Sequence, residues 1–147
     1  MPEMQQFGMN VSLGTDGSAS NNSLSMFEVM KLCGLLQKNS RWDATVAKDS
    51  AIFEAATLGG ARALGINAGE IKEGKLADLA LLDLKAPNLA PAHSRIANLV
   101  YSANPGNVTD VIIDGKIVMQ GRKVLTLDEE KVVEQAQRQA EKLESSN

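Results

Sequence analysis

The stretch GARALGINAGEIKEGKLADLALLDL, residues 60–84, changes character halfway along its length. Its first residues continue a helical pattern that starts at Ser50 in SAIFEAATLGGARALG. Gly65 stands where a helix C-cap is expected, because a left-handed residue closes a helix with least strain when it has no β-carbon. Gly59 and Gly60 are expected to break or thin that helix, since glycine inside a helix is unfavourable. Beyond Gly65 the pattern turns to β: a short strand, a Glu73–Gly74 turn, then an apolar strand over residues 79–84. The stretch therefore joins a helical part to a β-rich part, with the boundary near residue 66.

Working back toward the N-terminus, Val11 to Gly14 reads as a short buried strand ending in the turn Gly14-Thr15-Asp16-Gly17. A loop of small residues follows. Ser25-Met-Phe-Glu28 has the spacing of a capping box, in which the Ser25 oxygen accepts from a helix N–H and Glu28 reaches back. The helix it opens is expected to run to about Lys38, with Met26, Met30, Cys33 and either Leu36 or Gln37 on one face.

Working forward, APNLAPAH is a proline-punctuated loop, and SRIANLVYSA fits a short helix or a strand equally well. Asp114-Gly115, between Val-Ile-Ile and Lys-Ile-Val, predicts a two-residue hairpin with a type I′ turn. The tail opens with a second capping-box spacing, Thr126 to Glu129, and acids in its first turn complement the helix dipole. Val132, Ala136, Ala140 and Leu143 form a thin apolar stripe suited to docking on a domain surface.

At 147 residues and 44% hydrophobic content the chain can build one ordinary core, and with 3% aromatic residues that core must be aliphatic. A net charge of -3, with Lys and Arg scattered among acids, gives no basic patch for a phosphate backbone. No apolar run approaches the ~20 residues of a membrane span. The first ten residues, MPEMQQFGMN, carry an acid and no basic, apolar leader, so no signal peptide is expected. One cysteine, Cys33, excludes an intramolecular disulfide and reads as a small buried hydrophobe. Together these features point to a cytoplasmic protein with neither nucleic-acid nor membrane partners.

Two signatures together resemble the C-terminal part of the metal-dependent amidohydrolase superfamily. One is LGTDGSASNN, residues 13–22, followed by SMFEVMKLCGLL; the other is the stretch at 60–84. LVYSANPGNVTDVIIDGKIVMQGRKVLTLDEE fits the same pattern. Within the superfamily the likeness is to deaminases acting on S-adenosylhomocysteine, 5′-methylthioadenosine and 5′-deoxyadenosine. What the resemblance implies is an α/β fold: the C-terminal piece of a (β/α)8 barrel, its last strand plus helices, with part of a small β-sandwich. Residues 1–66 would be the barrel piece, 67–125 the sandwich share and 126–147 a C-terminal helix. The family's metal ligands are a His-x-His after the first barrel strand, further histidines on the fifth and sixth, and an Asp ending the eighth. Asp16 matches the last of these.

In that role Asp16 is both metal ligand and catalytic group, at the C-terminal end of a barrel strand where such active sites lie. The resemblance implies one divalent ion, zinc, with iron or manganese as alternatives. It also implies a reaction in which hydroxide displaces ammonia from C6 of adenine while the carboxylate passes the proton. The substrate would be a small adenosine derivative, with substrate-binding residues not assigned.

Counting histidines changes the expectation for the chain by itself. A catalytic zinc needs about three protein ligands, whereas the sequence has a single histidine, His93, in the proline-punctuated loop. It has no partner histidine at i+2 or i+4 and reads as a structural or loop histidine. The chain is therefore expected to be a truncated portion of a deaminase, inactive alone, poorly folded or self-associating, and completed by a missing N-terminal segment. Two alternatives stand beside this: a non-catalytic assembly module, or a segment of a guanine, cytosine or triazine amidohydrolase. Asp78 and Asp83 are expected to serve turns. Asn21 and Asn22 either line the substrate mouth or satisfy backbone groups at the helix entrance. Ser18, Ser20 and Ser23 have no histidine base and are not nucleophiles.

Overall fold

The computed structural model describes residues 1–145. Before Gly65 the regular elements are helices: α1 (Pro2–Gln6), α2 (Ser18–Asn21), α3 (Met26–Arg41), α4 (Asp49–Ala56) and α5 (Leu58–Leu64). After them come β1 (Leu79–Leu82), α6 (Arg95–Tyr101), β2 (Val108–Ile113), β3 (Lys116–Gln120), β4 (Lys123–Val124) and α7 (Glu129–Glu144).

α3 begins where expected. Ser25 Oγ accepts from Glu28 N at 3.3 Å, satisfying one of the free N–H groups of the first turn. Glu28 does not reach back to the Ser25 N–H; its carboxylate takes the Ser23 hydroxyl instead, and Ser23 Oγ accepts from Ser25 N. The helix runs on to Arg41, closed by Trp42 in the left-handed region. Of the expected face, Met30 is buried and Gln37 half-buried, while Leu36 points outward at 59% exposure.

The core lies between α3, α4 and α6. Met30, Ala47, Ile52 and Val100 are buried together, with Leu13, Phe27, Cys33, Phe53 and Tyr101 packed on them. SRIANLVYSA thus resolves as a helix, α6, capped by Ser94 Oγ, and it brings Val100 and Tyr101 to this cluster. Gly34 is what lets α6 come so near: a β-carbon there would stand 2.8 Å from the Tyr101 ring and hydroxyl. The Tyr101 hydroxyl accepts from Lys38 Nζ at 2.7 Å, tying the exit of α6 to α3.

The sheet is a four-stranded antiparallel meander, β1-β2-β3-β4. Its centre is the predicted hairpin: Val111 pairs with Met119 and Ile113 with Lys116. Asp114 (φ 50°) and Gly115 (φ 74°) both take the left-handed region that a type I′ turn demands. Asp78 Oδ1 accepts from Asp114 N at 2.8 Å, pinning the entry of β1 to this turn. No side chain of the four strands is fully buried; Leu81, Ile113 and Ile117 are each about half exposed.

Several expectations need correction. Residues 11–14 are extended but form no strand: among the described residues nothing pairs with them in a ladder, and Leu13 N donates to Ala55 O at the end of α4 instead. The break between α4 and α5 falls at Thr57, not at Gly59–Gly60; Thr57 turns its hydroxyl back onto Phe53 O at 2.8 Å. The short strand before Glu73 is absent because the loop folds on itself, Leu76 N donating to Asn67 O and Asn67 Nδ2 to Gly74 O. β1 stops at Leu82, since Asp83 Oδ1 accepts from Lys85 N and closes a turn. Asp128 rather than Thr126 caps α7, accepting from Lys131 N at 3.1 Å. The apolar stripe of α7 docks on nothing described: no residue of that helix is buried. The helices α1 and α2 lie where no helix was expected.

Candidate functional site

Asp16 ends the extended segment that Leu13 fastens to α4. Its backbone is left-handed, φ 59°, a conformation an L-aspartate adopts only when its surroundings or its own side chain compensate. The compensation is local. Asp16 Oδ1 accepts from Gly17 N at 2.7 Å, and Thr15 Oγ1 donates to the Asp16 carbonyl at 3.0 Å. The second carboxylate oxygen, Oδ2, has no hydrogen-bond partner among the described residues and remains available at an exposed position.

Around this carboxylate lies a shallow recess of about 420 Å³. The loop residues Gly14, Thr15, Ser20 and Asn21 form one wall, and Val29, Leu32 and Cys33 of α3 form the floor. Burial pushes the Cys33 thiol above its ordinary pKa, which keeps it protonated at neutral pH and unsuited to nucleophilic work. Its Sγ lies 3.5 Å from Met1 Sδ.

The other candidates fall outside this recess or serve the backbone. Asn22 is the left-handed C-cap of α2, its N–H donating to Ser18 O. Asn21 Nδ2 donates to Ser23 O at 3.2 Å. His93 is exposed in the segment leading into α6. Among the described residues no three His, Cys, Asp or Glu side chains come together where a metal ion could be held. One carboxylate does not fit a catalytic zinc site, which needs about three protein ligands. These residues do not by themselves hold the family's metal.

One element here escaped the sequence pattern. The downstream end of the Asp16 loop is bound to the first turn of α3 through the Ser23–Glu28 hydrogen bond. The capping-box spacing of Ser25 and Glu28 was the signal available, but it pointed the carboxylate at the wrong partner.

Comparison with known proteins settles the lineage. A family model for the amidohydrolase family matches residues 2–118. The chain belongs to the amidohydrolase family. It is 47% identical, over 96% of its own length, to a 5′-deoxyadenosine deaminase of Methanosarcina mazei, of which it covers 33%. To a 5-methylthioadenosine/S-adenosylhomocysteine deaminase of Desulforudis audaxviator it is 49% identical over 92% of its length, covering 32% of that protein. Among solved structures it superimposes on a zinc-bound adenosine deaminase of Xanthomonas campestris with a TM-score of 0.92 and 38% identity, covering 97% of this chain and 33% of that one.

This amidohydrolase chain thus spans about a third of the length of the curated relatives it matches. It corresponds to the C-terminal part of a TIM-barrel amidohydrolase, with a small antiparallel sheet. The Xanthomonas structure carries bound zinc, which supports a divalent metal in the family. No helix among the described residues is long and apolar enough to cross a membrane.

Proposed function

We propose that this chain is the portion of an aminohydrolase that supplies Asp16 to the catalytic centre. The whole enzyme would deaminate a small adenosine derivative: 5′-deoxyadenosine, 5′-methylthioadenosine or S-adenosylhomocysteine. The observation that carries this reading is the extended likeness to deaminases of those three substrates. The exposure of Asp16 and its free Oδ2 support it, because a carboxylate that is to meet a metal must not be consumed by its own loop. In this reading residues 1–66 belong to the barrel, 67–125 to the sandwich domain and 126–147 to a C-terminal helix. The metal would be zinc, with iron or manganese as alternatives, and its remaining ligands would come from the rest of the enzyme.

Exposed apolar residues on the far side of α3 favour a missing partner segment. Leu32, Leu35 and Leu36 are each about half exposed, and Trp42 is 96% exposed. A helix apolar on two sides is one that packs between two layers. The test is reconstitution. The chain alone should bind no stoichiometric zinc; mixed with the N-terminal two-thirds of the Methanosarcina mazei deaminase, it should take up zinc and release ammonia from 5′-deoxyadenosine. Release by the chain alone would refute the reading.

A further inference from the structure

We infer that Glu28 is a positioning residue that acts on Asp16 through Ser23, a role that rests on the reading of Asp16 given above. The loop bearing Asp16 hangs between two fastenings. Upstream, Leu13 N donates to Ala55 O at 3.0 Å, a backbone contact. Downstream, the only link to α3 by a charged side chain among the described residues is Glu28 Oε2 accepting from Ser23 Oγ at 2.5 Å, the short range of a charge-assisted O–H···O⁻ bond. Ser23 also meets the loop and the helix in two further ways: its carbonyl accepts from Asn21 Nδ2, and the same Oγ accepts from Ser25 N. Ser25 Oγ in turn accepts from Glu28 N, closing a ring between loop end and helix start.

Between the fastenings the backbone is held in two unfavourable places. Asp16 and Asn22, at either end of α2, both have φ 59°. Asp and Asn tolerate that region better than other L-residues, but still at a cost that their surroundings must offset. α2 is four residues long and none of its residues is buried, so packing adds nothing to the local hydrogen bonds made by Gly17 N and Asn22 N. Glu28 fixes the loop end that those local bonds leave open. Without its anchor, Asn22 and then Asp16 are free to relax out of the left-handed region, the Gly17 hydrogen bond opens, and Oδ2 loses its fixed direction. Glu28 also stands on the same helix as Val29, Leu32 and Cys33, which floor the recess, so it sets the loop against that floor.

The experiment uses the 147-residue chain and reads the Gly17 amide by NMR. In the parent chain the Gly17 amide should show a through-hydrogen-bond coupling to the Asp16 side-chain carboxyl that accepts it. Glu28→Ala should abolish that coupling and speed amide exchange over residues 17–22 by about tenfold, leaving the amides of β2 and β3 unchanged. Glu28→Gln keeps an acceptor oxygen and should restore both signals; Ser23→Ala should behave like Glu28→Ala. In the reconstituted enzyme, Glu28→Ala should lower kcat with little change in KM. The inference is overturned if Glu28→Ala leaves the Gly17 signal and the exchange of residues 17–22 as in the parent, or if Glu28→Gln fails to restore them. Failure of the aminohydrolase reading itself would show differently, as turnover in the reconstituted enzyme that survives Asp16→Asn.

Discussion

The carbonyl oxygen of Val11 lies so close to where a β-carbon on Gly59 would stand that no side chain fits there. Asn10 Nδ2 donates to the Gly59 carbonyl at 3.0 Å, so the extended segment is laid on the start of α5 from both sides. Gly59 is therefore a residue of close approach, and the Asp16 segment takes its path from it. Gly59→Ala should displace Val11 and cost about 1–3 kcal/mol, the usual scale of overpacking. Chemical denaturation should show the loss, with faster exchange of the Leu13 amide as its local sign.

Gly34 makes the same argument in the core. A β-carbon there meets Tyr101 at 2.8 Å and Ile52 at 3.1 Å. Gly34→Ala should destabilise the α3–α6 contact more than it gains from better helix propensity, which is worth only about 1 kcal/mol. Tyr101→Phe tests the same junction more gently: it removes the acceptor of Lys38 Nζ and should cost about 1 kcal/mol in a denaturant midpoint.

Asn107 is buried and exchanges two hydrogen bonds with Asn88, at 2.9 and 3.1 Å, while its Oδ1 also accepts from Asn104 N. Asn107→Ala removes both bonds to Asn88 and the acceptor of Asn104 N, although Asn88 and Asn104 are exposed and can turn to water, and Asn88 Nδ2 keeps its bond to Ser102 O. The expected cost is about 1–2 kcal/mol, read as a lower denaturant midpoint at unchanged slope.

How much of this was legible in the sequence depends on where the deciding interaction lies. Asp114-Gly115 was legible because the turn's dihedrals are demanded by its own two residues. Ser25 as the cap of α3 was legible for the same reason. The break at Thr57 was not: Gly59 looked like the breaker, but its glycine serves Val11, some 48 residues earlier in the chain. Thr126 and Asp128 both offer cap chemistry at the start of α7, and spacing alone does not choose between them. Val11 to Gly14 was legible as extended chain, yet an extended segment becomes a strand only with a neighbour to pair with. For the site, the family resemblance singles out Asp16 as a candidate; its left-handed backbone and the Ser23–Glu28 hydrogen bond were not legible, since both depend on how the loop returns to α3.

The acid limb of stability should carry a trace of the N-terminus. Arg41 donates to both carboxylate oxygens of Glu3, at 2.7 Å from Nη2, and this holds the Glu3 carboxyl below its usual 4.5. A lowered folded-state pKa means the contribution is complete above the unfolded value and is lost as pH falls through the folded one. Thermal unfolding followed from pH 6 down to pH 2 should therefore show a fall beginning near pH 4.5 that is shallower in Glu3→Gln. Because the pair is exposed, the difference should be small and should shrink in high salt.

The central proposal is that Asp16 is one carboxylate of a metal site whose other ligands come from the rest of the enzyme. The most direct measurement is ammonia release from 5′-deoxyadenosine with zinc present, comparing the chain alone, the chain mixed with the N-terminal two-thirds of the Methanosarcina mazei deaminase, and the same mixture with Asp16→Asn. The account predicts no release from the chain alone, release from the mixture, and a loss of about 10³-fold or more on Asp16→Asn, the scale on which removing one member of a catalytic constellation is felt. Turnover by the chain alone, or undiminished turnover in the Asp16→Asn mixture, would contradict it.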